Sequence, residues 1–150
     1  MLTYRLVPTE FAYDLSGAGS AKEPGRWNVA DTPALYTSSN RALAVCESLL
    51  GSSSKKDDDL SLVTYEVPDD CPIFCLETAD LPKNWAINPP PDEYRQLGSK
   101  HLNCKDYVAF RVPSSIVPDE HNFVLNPSFR QYDRVTISRI TAFDASQIQA

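Results

Sequence analysis

Apolar residues in this chain recur mostly in short alternating runs, and one stretch alone sustains a clear helical spacing. Leu2-Tyr4-Leu6, Ala34–Thr37, Leu62–Val67, Tyr107–Val112, Asn122–Leu125 and Arg134–Ile140 read as strands, because side chains along a strand alternate between two faces. Arg5 then falls on the opposite face from Tyr4 and Leu6. The helical stretch begins after Ser38 or Ser39, either of which can cap it, and ends at Gly51. At about 100° per residue, Ala42, Leu43, Val45, Cys46, Leu49 and Leu50 gather on one face, with Glu47 at its rim. Asp92–Leu102 is a second helix candidate that Gly98 disfavours. Short strands outnumber helices and do not alternate with them, which predicts an α+β domain with a mixed or antiparallel sheet and few helices, in preference to a doubly wound parallel sheet.

Twelve prolines against five glycines imply stiff, extended connections. The segment from Asp69 to Pro91 resists assignment, with Trp85 expected to anchor it to the core. Ser52 to Asp59 reads as an exposed polar loop. At 150 residues the chain fits one domain, 1–150, able to bury roughly 70% of the surface its unfolded form exposes.

A net charge of −6 argues against a general nucleic-acid binder, although a few local cations can still hold a small anion. Cys46, Cys71, Cys75 and Cys104 lack the spacing of a zinc site, so separate reduced thiols and no metal are expected. The start, MLTYRLVPTEF, lacks the layout of a secretory signal. No apolar run approaches the ~20 residues of a membrane helix. These features give a cytoplasmic expectation and leave self-association into a homo-oligomer open.

Between the first two strands lies a polar loop, Asp14 to Ser20, that runs into Pro24-Gly25-Arg26-Trp27-Asn28. Its spacing is neither a Walker loop nor a Rossmann fingerprint. On spacing alone Glu47 reads as a boundary residue whose head reaches water, and Tyr36 as a core aromatic. Ser114 reads as a turn residue between Pro113 and Ser115, without the His–Asp partners of a nucleophile. His101 and His121 read as surface residues.

Taken in order, Tyr4-Arg5, Asp14-Leu15-Ser16-Gly17, Gly25-Arg26-Trp27-Asn28, Leu35-Tyr36, Glu47 in its apolar helix, Val112-Pro113-Ser114 and Asn126-Pro127 resemble the RES family. The resemblance spans residue 4 to about residue 140. It implies a fold similar to ADP-ribosyltransferases and a toxin paired with an Xre-type antitoxin protein. It also implies action on NAD as substrate by hydrolysis, phosphorolysis or transfer of ADP-ribose to a protein, with no separate cofactor. A non-catalytic antitoxin-binding module is the remaining alternative. Pro24, Phe129 and the tail after Phe143 depart from the family pattern, in loop and tail positions.

Breaking the nicotinamide–ribose bond leaves an oxocarbenium-like sugar and a neutral leaving group, so one carboxylate near the ribose suffices. With the resemblance, Glu47 takes that role. Arg26 is assigned to the pyrophosphate, since guanidinium binds phosphate in a forked geometry. Arg5 is compatible with that task or with a structural ion pair. Tyr36 is expected to stack on nicotinamide or to donate its hydroxyl. Ser114 is expected to orient ribose or carboxamide. Asn28 and Asn126 are candidate NAD hydrogen-bonders or structural amides, and Trp27 is expected to pack beneath the Arg26 loop.

Overall fold

The computed structural model describes residues 1–51, 59–146 and 148. The expected loop from Ser52 lies outside them, apart from Asp59. Seven strands form one sheet: β1 (Leu2–Pro8), β2 (Leu35–Ser38), β3 (Leu60–Glu66), β4 (Ile73–Cys75), β5 (Ala109–Pro113), β6 (His121–Leu125) and β7 (Thr136–Phe143). Their spatial order is β4-β5-β6-β2-β1-β3-β7. The β4–β5 pair is parallel and the other pairings are antiparallel. Among the described residues three α-helices accompany the sheet: α1 (Ala18–Lys22), α2 (Arg41–Leu50) and α3 (Asp92–Asn103). The architecture is thus α+β on a mixed sheet.

Register assigns side chains to the two faces, since residues directly opposite each other in a ladder share a face. Tyr4 opposes Ser38, Tyr36 opposes Val124 and Ser38 opposes Asn122, while Phe110 and Val112 oppose Val124 and Asn122. These residues, with Leu6, define the front. Thr3, Arg5, Val7, Val63, Tyr65, Leu35, Ala109 and Leu125 define the back. The back buries one cluster in which Val7, Leu35, Val63, Tyr65 and Leu125 meet Ala12, Phe129 and Val135 from the loops.

The front carries two separate clusters. One joins Trp27, Trp85, Tyr94 and Leu102 to Phe110, Val112 and Val124. The other joins Leu6 and Leu60 to Ala145, with Val45 and Leu49 of α2 packed against them. Between the two, β2 and β6 present Tyr36, Ser38 and Asn122. In this polar strip Ser38 is itself buried, at 3% exposure, with α2 packed against β1 and β2, while Tyr36 and Asn122 are half-buried.

Local chemistry explains where the elements depart from expectation. Asn40, rather than Ser38 or Ser39, caps α2, its Oδ1 accepting the Leu43 N–H at 2.8 Å. Ser38 belongs to β2 and spends its hydroxyl on Asn122 Oδ1 at 2.8 Å. Leu50, expected in the apolar stripe, is 69% exposed in the last turn. Trp85 is buried and stacks near Trp27, with ring centroids 6.5 Å apart. His101 is not a free surface residue: its ring stacks on Phe74 at 4.0 Å. His121 opens β6, with Nε2 3.7 Å from Glu77.

Candidate functional site

Glu47 projects from α2 toward the polar strip. Its Oε1 accepts two hydrogen bonds, from Ser114 Oγ at 2.7 Å and Asn122 Nδ2 at 2.6 Å. Among the described residues, Oε2 has no hydrogen bond from the protein. The rim position expected for this residue therefore holds a carboxylate with one oxygen anchored and the other available.

Ser114 is wholly buried, at 0% exposure. Its single proton goes to Glu47, while its oxygen accepts Ile116 N–H at 3.1 Å and Val117 N–H at 3.0 Å. With its bonding capacity so committed, Ser114 acts on the carboxylate and does not face a ligand, contrary to the expected contact with ribose or carboxamide. The turn that carries it is tied to α2, because Asn40 Nδ2 donates to Glu120 Oε2 at 3.0 Å.

Across the strip, the loop from Gly25 to Val29 is built around Tyr36 and Asn28. The Tyr36 hydroxyl donates to Asn28 Oδ1 at 2.7 Å and accepts the Trp27 N–H at 3.0 Å. Burial pushes this phenol well above its ordinary range, with the Trp27 bond and the nearby Arg95 and Arg26 charges opposing. The hydroxyl is thus a structural latch, and of the two expected roles for Tyr36 only ring stacking remains open to it. Gly25 permits the contact, since a Cβ there would lie 2.7 Å from the Tyr36 ring.

Asn28 is fully buried and gives its amide to Ser20, Val29 and Thr32 carbonyls at 2.6, 3.2 and 3.0 Å. Asn126 is likewise buried, donating to Cys104 and Tyr107 carbonyls and accepting Ser128 N–H. Of the two readings open for these amides, the geometry realises the structural one. Trp27 does pack beneath the loop, at 3% exposure.

Arg26 rises from that loop. Its Nη1 donates to the Trp85 and Ile87 carbonyls at 3.0 and 2.8 Å, and the guanidinium lies 6.0 Å from the Trp85 ring centroid. Burial pulls the guanidinium below its ordinary value, and the Glu47 carboxylate is the leading opposing influence. The Glu47 carboxylate thus lies near enough to favour the charged form of Arg26. Nε and Nη2 have no hydrogen-bond partner among the described residues.

Arg5 is not brought to this site. It opposes Val63 on the back of the sheet, and its charge acts on Tyr65 and Tyr132 there. Arg5 and Tyr65 lie close enough to interact, although among the described residues Arg5 Nη1, Thr3 Oγ1 and Tyr65 Oη make no hydrogen bond of good geometry. Of the two readings open for Arg5, the geometry does not bring it to Arg26, because the pleat sends alternate residues to opposite faces.

Sequence reasoning missed α3 as a splint. Arg95 Nε donates to Gly25 O at 3.0 Å, and Ser99 Oγ accepts Val29 N–H at 2.8 Å. Gly98 lies between them, where a Cβ would stand 1.9 Å from the Trp27 carbonyl oxygen. These positions share one helix face, and together they fix the loop backbone. Arg95 also places a second guanidinium near Tyr36 and Arg26. Asn122 and Ser38 were missed as well.

The RES domain family profile matches residues 2–145. The chain belongs to the RES family. Toxin Res of Yersinia enterocolitica is 32% identical to this RES chain over 136 residues, covering 88% of each. The Prs ADP-ribosylating toxin of a Sphingobium strain is 36% identical over 121 residues, covering 78% of the RES chain and 74% of that toxin. The fold matches a chain in the crystal structure of the M. tuberculosis MbcT–MbcA toxin–antitoxin complex with a TM-score of 0.76. That match has 19% identity and covers 97% of the RES chain and 85% of the other. Among the described residues, no group of three or more His, Cys, Asp or Glu is placed to hold a metal ion. No described helix is long and apolar enough to cross a membrane.

Proposed function

We propose that this RES chain is the toxin of a toxin–antitoxin pair and consumes NAD by cleaving the nicotinamide–ribose bond in the cytoplasm. The observation that carries the reading is the Glu47 carboxylate, held by one oxygen on the same face of the sheet as Tyr36 and near enough to the Arg26 guanidinium to favour its charge. In the proposed reaction the C–N bond breaks and its electron pair leaves with neutral nicotinamide. The positive charge passes to the ribose, where Glu47 stabilises it and accepts a hydrogen bond from a ribose hydroxyl. Arg26, supported by Arg95, holds the pyrophosphate, and the Tyr36 ring supplies the stacking surface. Water or phosphate then adds at the anomeric carbon and releases a proton. The partner is an antitoxin protein, of the Xre type that the family resemblance implies.

A second reading has the same side chains with a protein as acceptor, and the relative named as an ADP-ribosylating toxin favours it. Product analysis of NAD with and without phosphate separates the outcomes. Free nicotinamide with ADP-ribose or its phosphorylated form supports consumption. A discrete protein band labelled from NAD in cell extract supports transfer. Glu47→Gln is expected to lower nicotinamide release by more than about 100-fold, the scale of losing a main electrostatic group. Intact NAD under all three conditions would reject the enzymatic reading.

A further inference from the structure

The geometry points to Asn122 as a positioning residue for the Glu47 carboxylate, itself oriented by Ser38, an assignment that rests on the NAD-cleaving reading above. The donors run in one direction. Ser38 Oγ donates to Asn122 Oδ1 at 2.8 Å, and Asn122 Nδ2 donates to Glu47 Oε1 at 2.6 Å. A carboxylate is acceptor-only, so it must meet the NH2 end of the amide, and the Ser38 proton then has the carbonyl end to itself. Each bond in such a chain polarises the next.

The placement is rigid. Asn122 sits on β6, opposite Ser38 on β2 and Val112 on β5, and strands hold side chains more tightly than loops do. Ser114 reaches the same Oε1 from the end of β5. Two donors converging on one oxygen stop the carboxylate from rotating about its last bond and exchanging its oxygens. Oε2 is therefore kept pointing away from both donors.

The test compares Asn122→Ala and Ser38→Ala with the unaltered protein, after near-native melting is verified. Nicotinamide release by Asn122→Ala is expected to lose about 10- to 100-fold in kcat with KM within about twofold, the cost of a misplaced reacting group. Ser38→Ala is expected to lose about threefold, in kcat again, as an indirect effect. Should Asn122→Ala not fold, Ser38→Ala decides. A folded variant with unchanged kcat, or with the loss confined to KM, would overturn the assignment.

A readout independent of turnover is the side-chain amide resonance of Asn122. It is expected downfield of free amides, and to move on Glu47→Ala and on Ser38→Ala. If the unaltered protein leaves NAD intact while this resonance behaves as expected, the NAD reading fails and the Asn122–Glu47 anchoring stands. If the resonance ignores Glu47→Ala, the anchoring fails whatever the activity.

Discussion

Replacing Tyr36 by phenylalanine keeps the ring and deletes one oxygen, which separates the latch from the stacking surface. That oxygen accepts Trp27 N–H at 3.0 Å and donates to Asn28 Oδ1 at 2.7 Å. Asn28 Oδ1 still accepts Gly25 N–H at 2.9 Å in the variant, so it loses one bond of two. The Trp27 N–H loses its acceptor beneath a loop where Trp27 is 3% exposed. An orphaned buried donor costs about 1–3 kcal/mol and a lost neutral hydrogen bond about 0.5–1.5 kcal/mol, which together centre on about 3 kcal/mol. For a domain of this size each kcal/mol lowers the melting temperature by about 2–4 °C, so a drop of about 6–12 °C is expected. Trp27 and Trp85 are buried reporters, and their fluorescence follows the thermal transition directly. In the nicotinamide assay, at a temperature where both proteins are folded, Tyr36→Phe is expected to retain more activity than Tyr36→Leu. A Tyr36→Phe melting point within about 2 °C of the parent would refute the latch, and equal activity of the Phe and Leu variants would refute stacking.

Gly98→Ala puts a methyl 1.9 Å from the Trp27 carbonyl, and overpacking of this kind typically costs about 1–3 kcal/mol; a stabilised variant in urea denaturation would contradict the close approach of α3. Burial, with Lys100 second, lowers the proton affinity of His101, so its contribution to stability is present above the unfolded value of about 6.5 and is lost as pH falls. The urea midpoint should therefore drop between about pH 7.5 and 5.5, and less so in His101→Phe; parallel curves would exclude His101 as the cause. On the proposed reading, Arg95→Met is expected to raise KM for NAD by about tenfold by removing a cation near Arg26 and freeing the Gly25 carbonyl, whereas Arg5→Met should leave KM unchanged in whatever fraction folds. The reverse pattern would move the anion site to the back of the sheet.

Much of the fold was legible because alternation is a local signal. Leu2–Leu6 and Leu62–Val67 announce strands, and they also announce that Arg5 opposes Tyr4 and Leu6. What no local pattern states is which face will carry the site, and the role of Arg5 stayed open between two readings for that reason. Glu47 was visible at the rim of a helical stripe, yet its anchors Ser114 and Asn122 lie 67 and 75 residues away in sequence. Gly98 weakened the reading of α3 on propensity alone, although close packing against Trp27 requires a glycine there. β4 spans three residues after Pro72 and α1 five, too short for either periodicity to register. Asn40 outcompeted two serines as cap because Ser38 was already part of the sheet, a tertiary fact.

The splinting of the Gly25–Val29 loop by α3 also orders events during synthesis. Ribosomes deliver the chain from its amino terminus, and the loop's partners Arg95 and Ser99 emerge 70 residues after Gly25 and Val29. The two groups that immobilise the acid arrive later still. On the proposed reading, a nascent chain that has exposed Arg26, Tyr36 and Glu47 holds the side chains assigned to NAD and lacks the means to aim them. That reading implies an interval, set by translation speed, in which an inhibitor can meet the polypeptide before the site is assembled.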